Sequence, residues 1–211
     1  ETDNGADPQR FHPGLAGRHR AKVRAELDIP DEALVAAFVG TGWRRKGLYT
    51  LLEALGSLSR KAGAAPVYGI VVGKGRLRRA RAFAARHGAA DVVRFVGLAA
   101  PEPYYGASDL LALPSFFDPC ANVTLEALAC GLPVITSVTN GAHELITPGR
   151  EGFYIQDPAD ATELAKRIEY FTEPRRLSEA SRAARELALG HTLGRQYGEI
   201  IEALKEVARG G

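Results

Sequence analysis

Six short apolar runs recur along this chain, at residues 34–39, 67–72, 92–96, 110–113, 134–136 and 152–155. They are rich in Val, Ile, Leu and Phe and nearly unbroken, as parallel strands buried on both faces are. Helical patterns separate them. In the clearest, Leu48, Leu51, Leu52, Leu55 and Leu58 recur at spacings of three and four. Such alternation predicts an α/β fold with a doubly wound, parallel, six-stranded Rossmann-like sheet. Its crossovers are right-handed, and ligands bind at the carboxyl ends of its strands. After residue 157 the pattern becomes helical, with Ala161, Leu164, Ile168 and Phe171 on one stripe and Tyr197, Ile201, Leu204 and Val207 on another. The first thirty residues are polar. This divides the chain into a hinge or linker at 1–30, a Rossmann-like domain at 31–190 and a C-terminal helix at 191–211.

Composition narrows the classes. With 211 residues, 45% hydrophobic and 25% charged, the chain is large enough to bury a full core. A net charge of +2 is too small to argue for nucleic acid, although residues 74–86 concentrate positive charge. Two cysteines, Cys120 and Cys130, make no disulfide framework, and no Cys/His spacing suits zinc. There is no Asp-x-Asp, so no metal or other cofactor is expected. No apolar run approaches the ~18 residues of a membrane span, and no signal peptide is visible, so a reducing cytoplasm is the expected compartment. The chain starts with Glu and contains no Met, so it is expected to be part of a longer reading frame.

The most informative stretch runs from Phe117 to Pro133. Asp118 and Glu126 stand eight residues apart across an acidic loop and a short helix, which Asn122 or Thr124 could cap and which Gly131 and Pro133 stop. One carboxylate then lies just outside the positive end of the helix, and the other about a turn inside. Free backbone N–H groups, from Asn122, Val123 and Thr124, lie between them. Two acceptor-only groups flanking an anion site suit a ligand with hydroxyls on both sides of a phosphate, such as a nucleotide sugar. From spacing alone, an acidic loop residue plus an exposed helical Glu is the plainer account.

A second candidate loop follows the first strand: Gly40-Thr41-Gly42-Trp43-Arg44-Arg45-Lys46-Gly47. Its glycines allow close backbone approach, and its cations sit at the start of the next helix, beside a phosphate if one binds there. A solvated basic turn is the alternative. Gly40 and Gly42 begin a dinucleotide fingerprint, but Arg45 holds the third glycine position and no acid follows the second strand. NAD binding is therefore not expected. Gly73-Lys74-Gly75 fails likewise, and there is no Walker motif. Trp43 is expected to pack across the loop, Tyr104 and Tyr105 to pack on a short helix, and the residues after Asn140 to form a cap, with a hydrogen bond from His143 to a sugar or acceptor as the alternative.

The acid, seven residues, Glu, then Ala-x-Ala-x-Gly-x-Pro resembles the signature of retaining family 4 glycosyltransferases of the GT-B fold. Asn4-Gly5-Ala6-Asp7 resembles their interdomain hinge, so the likeness spans nearly the whole chain. It implies donor-binding and catalytic roles for Asp118 on the sugar hydroxyls, Glu126 on the ribose, and Arg45 with Lys46 on the diphosphate. Gly40, Thr41 and Gly42 would line the donor, and Gly97 and Leu98, at the end of the third strand, would offer backbone groups to the base. An ordinary strand end is the alternative there. Asp118 stands where the family usually has Glu, Cys120-Ala121 where Phe-Gly is common, and Thr41 where an Arg is usual. The Arg45–Lys46 pair is most similar to lipopolysaccharide core glucosyltransferases. The resemblance implies a bacterial hexosyltransferase, part of a two-domain enzyme, using UDP-glucose or a related donor without metal. The acceptor would be a glycan or lipid-linked molecule, bound by an N-terminal domain that this chain lacks, so the chain alone is expected to fold but transfer nothing. Peripheral association of the full enzyme with the inner membrane is compatible with this. The rival classes are a nucleotide-sugar-binding module without turnover and a GT-B-fold epimerase.

Overall fold

Every residue of β1 (Leu34–Val39) is buried, and Val35 to Phe38 are completely so. Side chains of both parities along the strand meet protein, the environment of a central parallel strand. A computed structural model describes residues 5–61, 63, 65–119 and 122–191. Among them β1 is joined by β2 (Val67–Val72), β3 (Val93–Gly97), β4 (Leu110–Ala112), β5 (Val134–Ser137) and β6 (Gly152–Ile155). All neighbours are parallel, in the order β3-β2-β1-β4-β5-β6. The doubly wound sheet expected from the apolar runs is therefore present, with strand limits shifted by at most one residue.

In this order the chain winds outward from β1 in one direction and then returns to start at β4 on its other side. The crevice for a ligand is where the direction reverses, at the carboxyl ends of β1 and β4. Right-handed crossovers put the helices of the two halves on opposite faces. In the first half α2 (Leu48–Ser59) buries Leu48, Leu51, Leu52, Leu55 and Leu58, the stripe seen in the sequence, and α3 (Leu77–His87) buries only Ala80 and Ala84. In the second, α4 (Glu102–Ala107) and α5 (Asn122–Ala129) flank β4. The helical tail packs back: α6 (Ala161–Tyr170) lies on α2, and α7 (Pro174–Gly190) on α5. The stripe expected from Tyr197 to Val207 lies outside the described residues.

Part of the segment read as linker is helical. Residues Gly14–Glu26 form α1, which packs on α4 and buries Leu15, Val23 and Arg24. Its sequence lacks an apolar stripe because its main anchor is a guanidinium. Arg24 is wholly buried, donating to the carbonyls of Ala107, Asp31 and Ala33 and to Asp109 Oδ2 at 2.8–3.0 Å. Further back, Arg185 of α7 donates to the carbonyls of Phe11 (3.1 Å) and Ala129 (2.6 Å), tying the N-terminal segment to the end of α5.

Candidate functional site

The β1–α2 turn reaches the end of β4 because residue 47 has no side chain. Gly47 sits at φ +78°, and a Cβ there would stand 1.9 Å from the Pro114 carbonyl oxygen. Two ties follow: Phe116 N–H donates to the Arg45 carbonyl at 2.7 Å, and the Arg45 side chain donates through Nη1 to the Phe117 carbonyl at 2.7 Å. A second glycine makes room for the lysine. At Gly40, φ +143°, a Cβ would lie 2.7 Å from Lys46 Cδ, so the lysine stem crosses the end of β1 where any other residue would stand. The space that the sequence reading keeps for a ligand at Gly40 holds Lys46 instead.

Lys46 ends against the acidic loop. Its Nζ is 2.9 Å from Asp118 Oδ2, with both groups buried, and Arg45 Nη1 approaches the same oxygen at 3.5 Å. Asp118 is held from behind by the loop after β5: its N–H donates to Thr139 O (3.0 Å) and its carbonyl accepts from Gly141 N–H (2.9 Å). Asn140 caps the short 3₁₀ helix Gly141–Leu145, its side chain accepting from Ala142 N–H, and His143 Nδ1 lies 2.9 Å from the Asn140 carbonyl. The capping side chain is thus Asn140 itself, where the sequence reading gave the role to the residues after it.

Glu126, on α5, is half-buried, and Tyr105 of α4 donates its phenol to Glu126 Oε2 at 3.0 Å. The account of an exposed helical Glu and a free acidic loop residue therefore fails for both carboxylates. Burial pushes the Glu126 carboxyl above the usual carboxylate range, opposed by the Tyr105 hydrogen bond and by the charges of Arg10 and Lys46. Because the folded form holds its proton more tightly than the unfolded form, Glu126 contributes stability at low pH. That contribution is lost as pH rises from about 4.5 through the raised folded value. Glu126→Gln is therefore expected to flatten this part of the stability–pH curve, measured by urea unfolding between pH 4 and 8. An unchanged slope would show that Glu126 titrates as in the unfolded chain.

Other expectations meet the structure less closely. Asn122 is the first residue of α5 and Thr124 the third, so neither stands before the helix to cap it, and Thr124 Oγ1 is buried without a partner. Thr41 and Gly42 are exposed beside the lysine turn. Gly97 and Leu98 are at the end of β3, two strands from β1. There the Gly97 carbonyl accepts from Gly73 N–H at 2.7 Å, and Leu98 is 78% exposed. Trp43 packs on Phe95, ring centroids 5.8 Å apart. Sequence reasoning missed Tyr105 as the partner of Glu126, because a Tyr inside a short helix carries no sign of what its hydroxyl reaches. Cys130, at the end of α5, is a packing residue whose thiol is pushed by burial up to about 12. Among the described residues no three His, Cys, Asp or Glu side chains are grouped to hold a metal, and no helix is long and apolar enough to cross a membrane.

A 3-2-1-4-5-6 sheet with cations and carboxylates meeting at its switch point defines a Rossmann-like ligand-binding domain of the GT-B type. Residues 33–173 match the family described as glycosyl transferases group 1, and the chain belongs to that family. Among curated relatives, the D-inositol 3-phosphate glycosyltransferase of Corynebacterium jeikeium is 35% identical over 167 residues, 74% of this chain and 40% of the relative. The chain thus spans about two fifths of the length of such relatives. Among solved structures, Anabaena HepE in complex with UDP-glucose superimposes with a TM-score of 0.84 at 25% identity, covering 97% of this chain and 57% of HepE. WaaG, a glycosyltransferase involved in lipopolysaccharide biosynthesis, gives a TM-score of 0.75 at 26% identity over 89% of this chain and 51% of its own.

Proposed function

We propose that the chain is the donor-binding half of a retaining hexosyltransferase using a UDP-sugar. The observation that carries this reading is the Lys46–Asp118 pair at 2.9 Å, joined by Arg45 and placed at the sheet's switch point. Without donor, Asp118 neutralises the cations. With donor, the diphosphate takes Arg45 and Lys46, and Asp118 is released to accept hydrogen bonds from sugar hydroxyls. Glu126, oriented by Tyr105, accepts from the ribose. As the bond to the sugar breaks, negative charge grows on the diphosphate beside two fixed cations, which is electrostatic transition-state stabilisation in which side chains act in place of a divalent ion. HepE's UDP-glucose complex supports a UDP-hexose.

Two acceptor classes have support. The motif likeness to lipopolysaccharide core enzymes, with WaaG's structure, favours a glycan or lipid-linked acceptor in the cytoplasm at the inner membrane. The relatives named D-inositol 3-phosphate glycosyltransferase favour a phosphorylated polyol. Transfer assays of the two-domain enzyme with each acceptor separate them.

Calorimetric titration of this chain with UDP and UDP-glucose tests the donor reading. Glu126→Gln is expected to weaken UDP by roughly 1.5–3 kcal/mol, the range for hydrogen bonds to a charged group. Asp118→Asn should keep or raise UDP affinity, since it frees Lys46, and should remove any gain from the glucose. Equal losses for both ligands in Asp118→Asn would place that residue elsewhere in the site.

A further inference from the structure

The N-terminal turn Asp7–Phe11 reaches Glu126 through α4. Asp7 builds the turn: its Oδ1 accepts from the N–H groups of Gln9 (2.9 Å) and Arg10 (3.4 Å), and its carbonyl accepts from Phe11 N–H (2.9 Å). Phe11, 3% exposed, anchors it, with its ring edge-to-face on Tyr105 at 6.0 Å between centroids and its carbonyl held by Arg185. Tyr105 in turn donates to Glu126 Oε2 at 3.0 Å. Two contacts fix the Arg10 side chain on this turn. Its Nε donates to Glu102 Oε1 of α4 at 2.6 Å, and its guanidinium lies 4.8 Å from the centre of the Phe11 ring. Arg10 is the one ion-pair partner of Glu102 among the described residues, and Glu102 Oε2 is buried without a donor.

The main groups acting on the Glu126 carboxyl are Tyr105 and Glu102 from α4, Arg10 from this turn, Lys46 from the β1–α2 turn and the Cys130 thiol at the end of α5. His19 of α1 acts in turn on Glu102. Two of these groups on Glu126 are cations, and Arg10 is the stronger of the pair. Once a diphosphate takes Lys46, the charge of that lysine is met by phosphate and Arg10 alone is left. The need for a cation is chemical. A carboxylate offers two acceptor oxygens to a pair of ribose hydroxyls, whereas a protonated carboxyl turns one of them into a donor, the form that burial favours.

We propose that Arg10 is a positioning residue of the donor site, acting on the ribose through Glu126 and touching no part of the donor itself. With Phe11 it fixes Tyr105, and its charge keeps Glu126 a two-oxygen acceptor while the diphosphate occupies Lys46. That the hydroxyls belong to a donor's ribose rests on the donor reading above; the hold of Arg10 on Glu126 does not.

Two measurements on this chain test it. One is the pH titration of the Glu126 carboxyl carbon by NMR, assigned by its loss in Glu126→Gln. The other is calorimetry from about pH 5 to 8 with UDP and, as a ribose-free probe, inorganic pyrophosphate; phosphate protonation near about pH 6 is common to every variant. Removing a cation favours the protonated carboxyl, so Arg10→Gln should move the Glu126 midpoint up. Glu102→Gln keeps an acceptor for Arg10 and loses a negative charge, so it should move the midpoint down, an opposition of sign that a merely structural role would not produce. In Arg10→Gln, UDP affinity should fall about threefold at the acid end and less than about twofold at the alkaline end, the size expected of a partly exposed charge. Pyrophosphate affinity should not change, Arg10→Lys should restore most of the loss, and the deficit should vanish in the Glu126→Gln background. Arg10 is more than half exposed, so these variants should fold. An unmoved midpoint in Arg10→Gln, a UDP loss of one size at every pH, or an equal loss of pyrophosphate would each overturn the proposal. A midpoint that moves as expected, with UDP unbound or indifferent to Glu126→Gln, would instead sink the ribose assignment and leave the hold of Arg10 on Glu126 standing.

Discussion

Lys46→Ala in the two-domain enzyme is expected to lower turnover at saturating donor by ~10²-fold, the effect of removing one preorganised electrostatic contact. The lysine has no freedom to be replaced by a neighbour. Its stem lies in the space left by Gly40, and its ammonium is buried at 2.9 Å from Asp118. The same change has a structural cost, because Asp118, 7% exposed, keeps only Arg45, at 3.5 Å, as a cationic partner among the described residues. A carboxylate stranded in this way destabilises by up to ~3–5 kcal/mol. The two effects separate in the double variant Lys46→Ala/Asp118→Ala, which should recover much of the stability, read by chemical denaturation, and none of the turnover. Single-variant kinetics close to wild type would mean that the phosphate cations lie elsewhere, around Lys74 for example.

Arg24→Met should be the most destabilising single change away from the site, at about 3–5 kcal/mol. Against a typical total of roughly 5–15 kcal/mol this is about a fifth of the stability or more. Four main-chain carbonyls and Asp109 converge on this guanidinium, and Asp109 Oδ2 also accepts from Val35 N–H at 2.7 Å, which ties α1 to the start of β1. Methionine fills much of the volume and satisfies none of these groups. Burial lowers the affinity of Arg24 for its proton, and the charge of Asp109 opposes this. Lysine is not expected to rescue the site, because a single ammonium cannot follow the fork. Arg20→Ala, which removes the more exposed partner of the same carboxylate, should cost under ~1 kcal/mol. Guanidinium chloride unfolding of the three variants checks the ranking, and equal losses for Arg20→Ala and Arg24→Met would refute the assigned role of burial.

The strands and α2 were legible because burial selects side chains one residue at a time. A strand covered on both faces must be apolar throughout, and a helix laid on a sheet must repeat its leucines every three or four positions. Nothing in that logic finds α1, whose attachment is one arginine and two apolar residues. The same limit hid the state of Glu126, since its hydrogen-bond partner Tyr105 is twenty-one positions earlier and on another helix.

By itself the sequence determined the six strands and α2, the doubly wound sheet, and the placing of Arg45, Lys46 and Asp118 in two loops, with Glu126 on the helix that follows the second, at its carboxyl edge. Only the tertiary structure decided what these groups do to one another. Lys46 and Asp118 are 72 positions apart, and they meet because Gly47 closes on Pro114 and Gly40 leaves room for a lysine stem. Spacing along a chain carries no record of such contacts, because they depend on how closely two backbones approach after the sheet has formed.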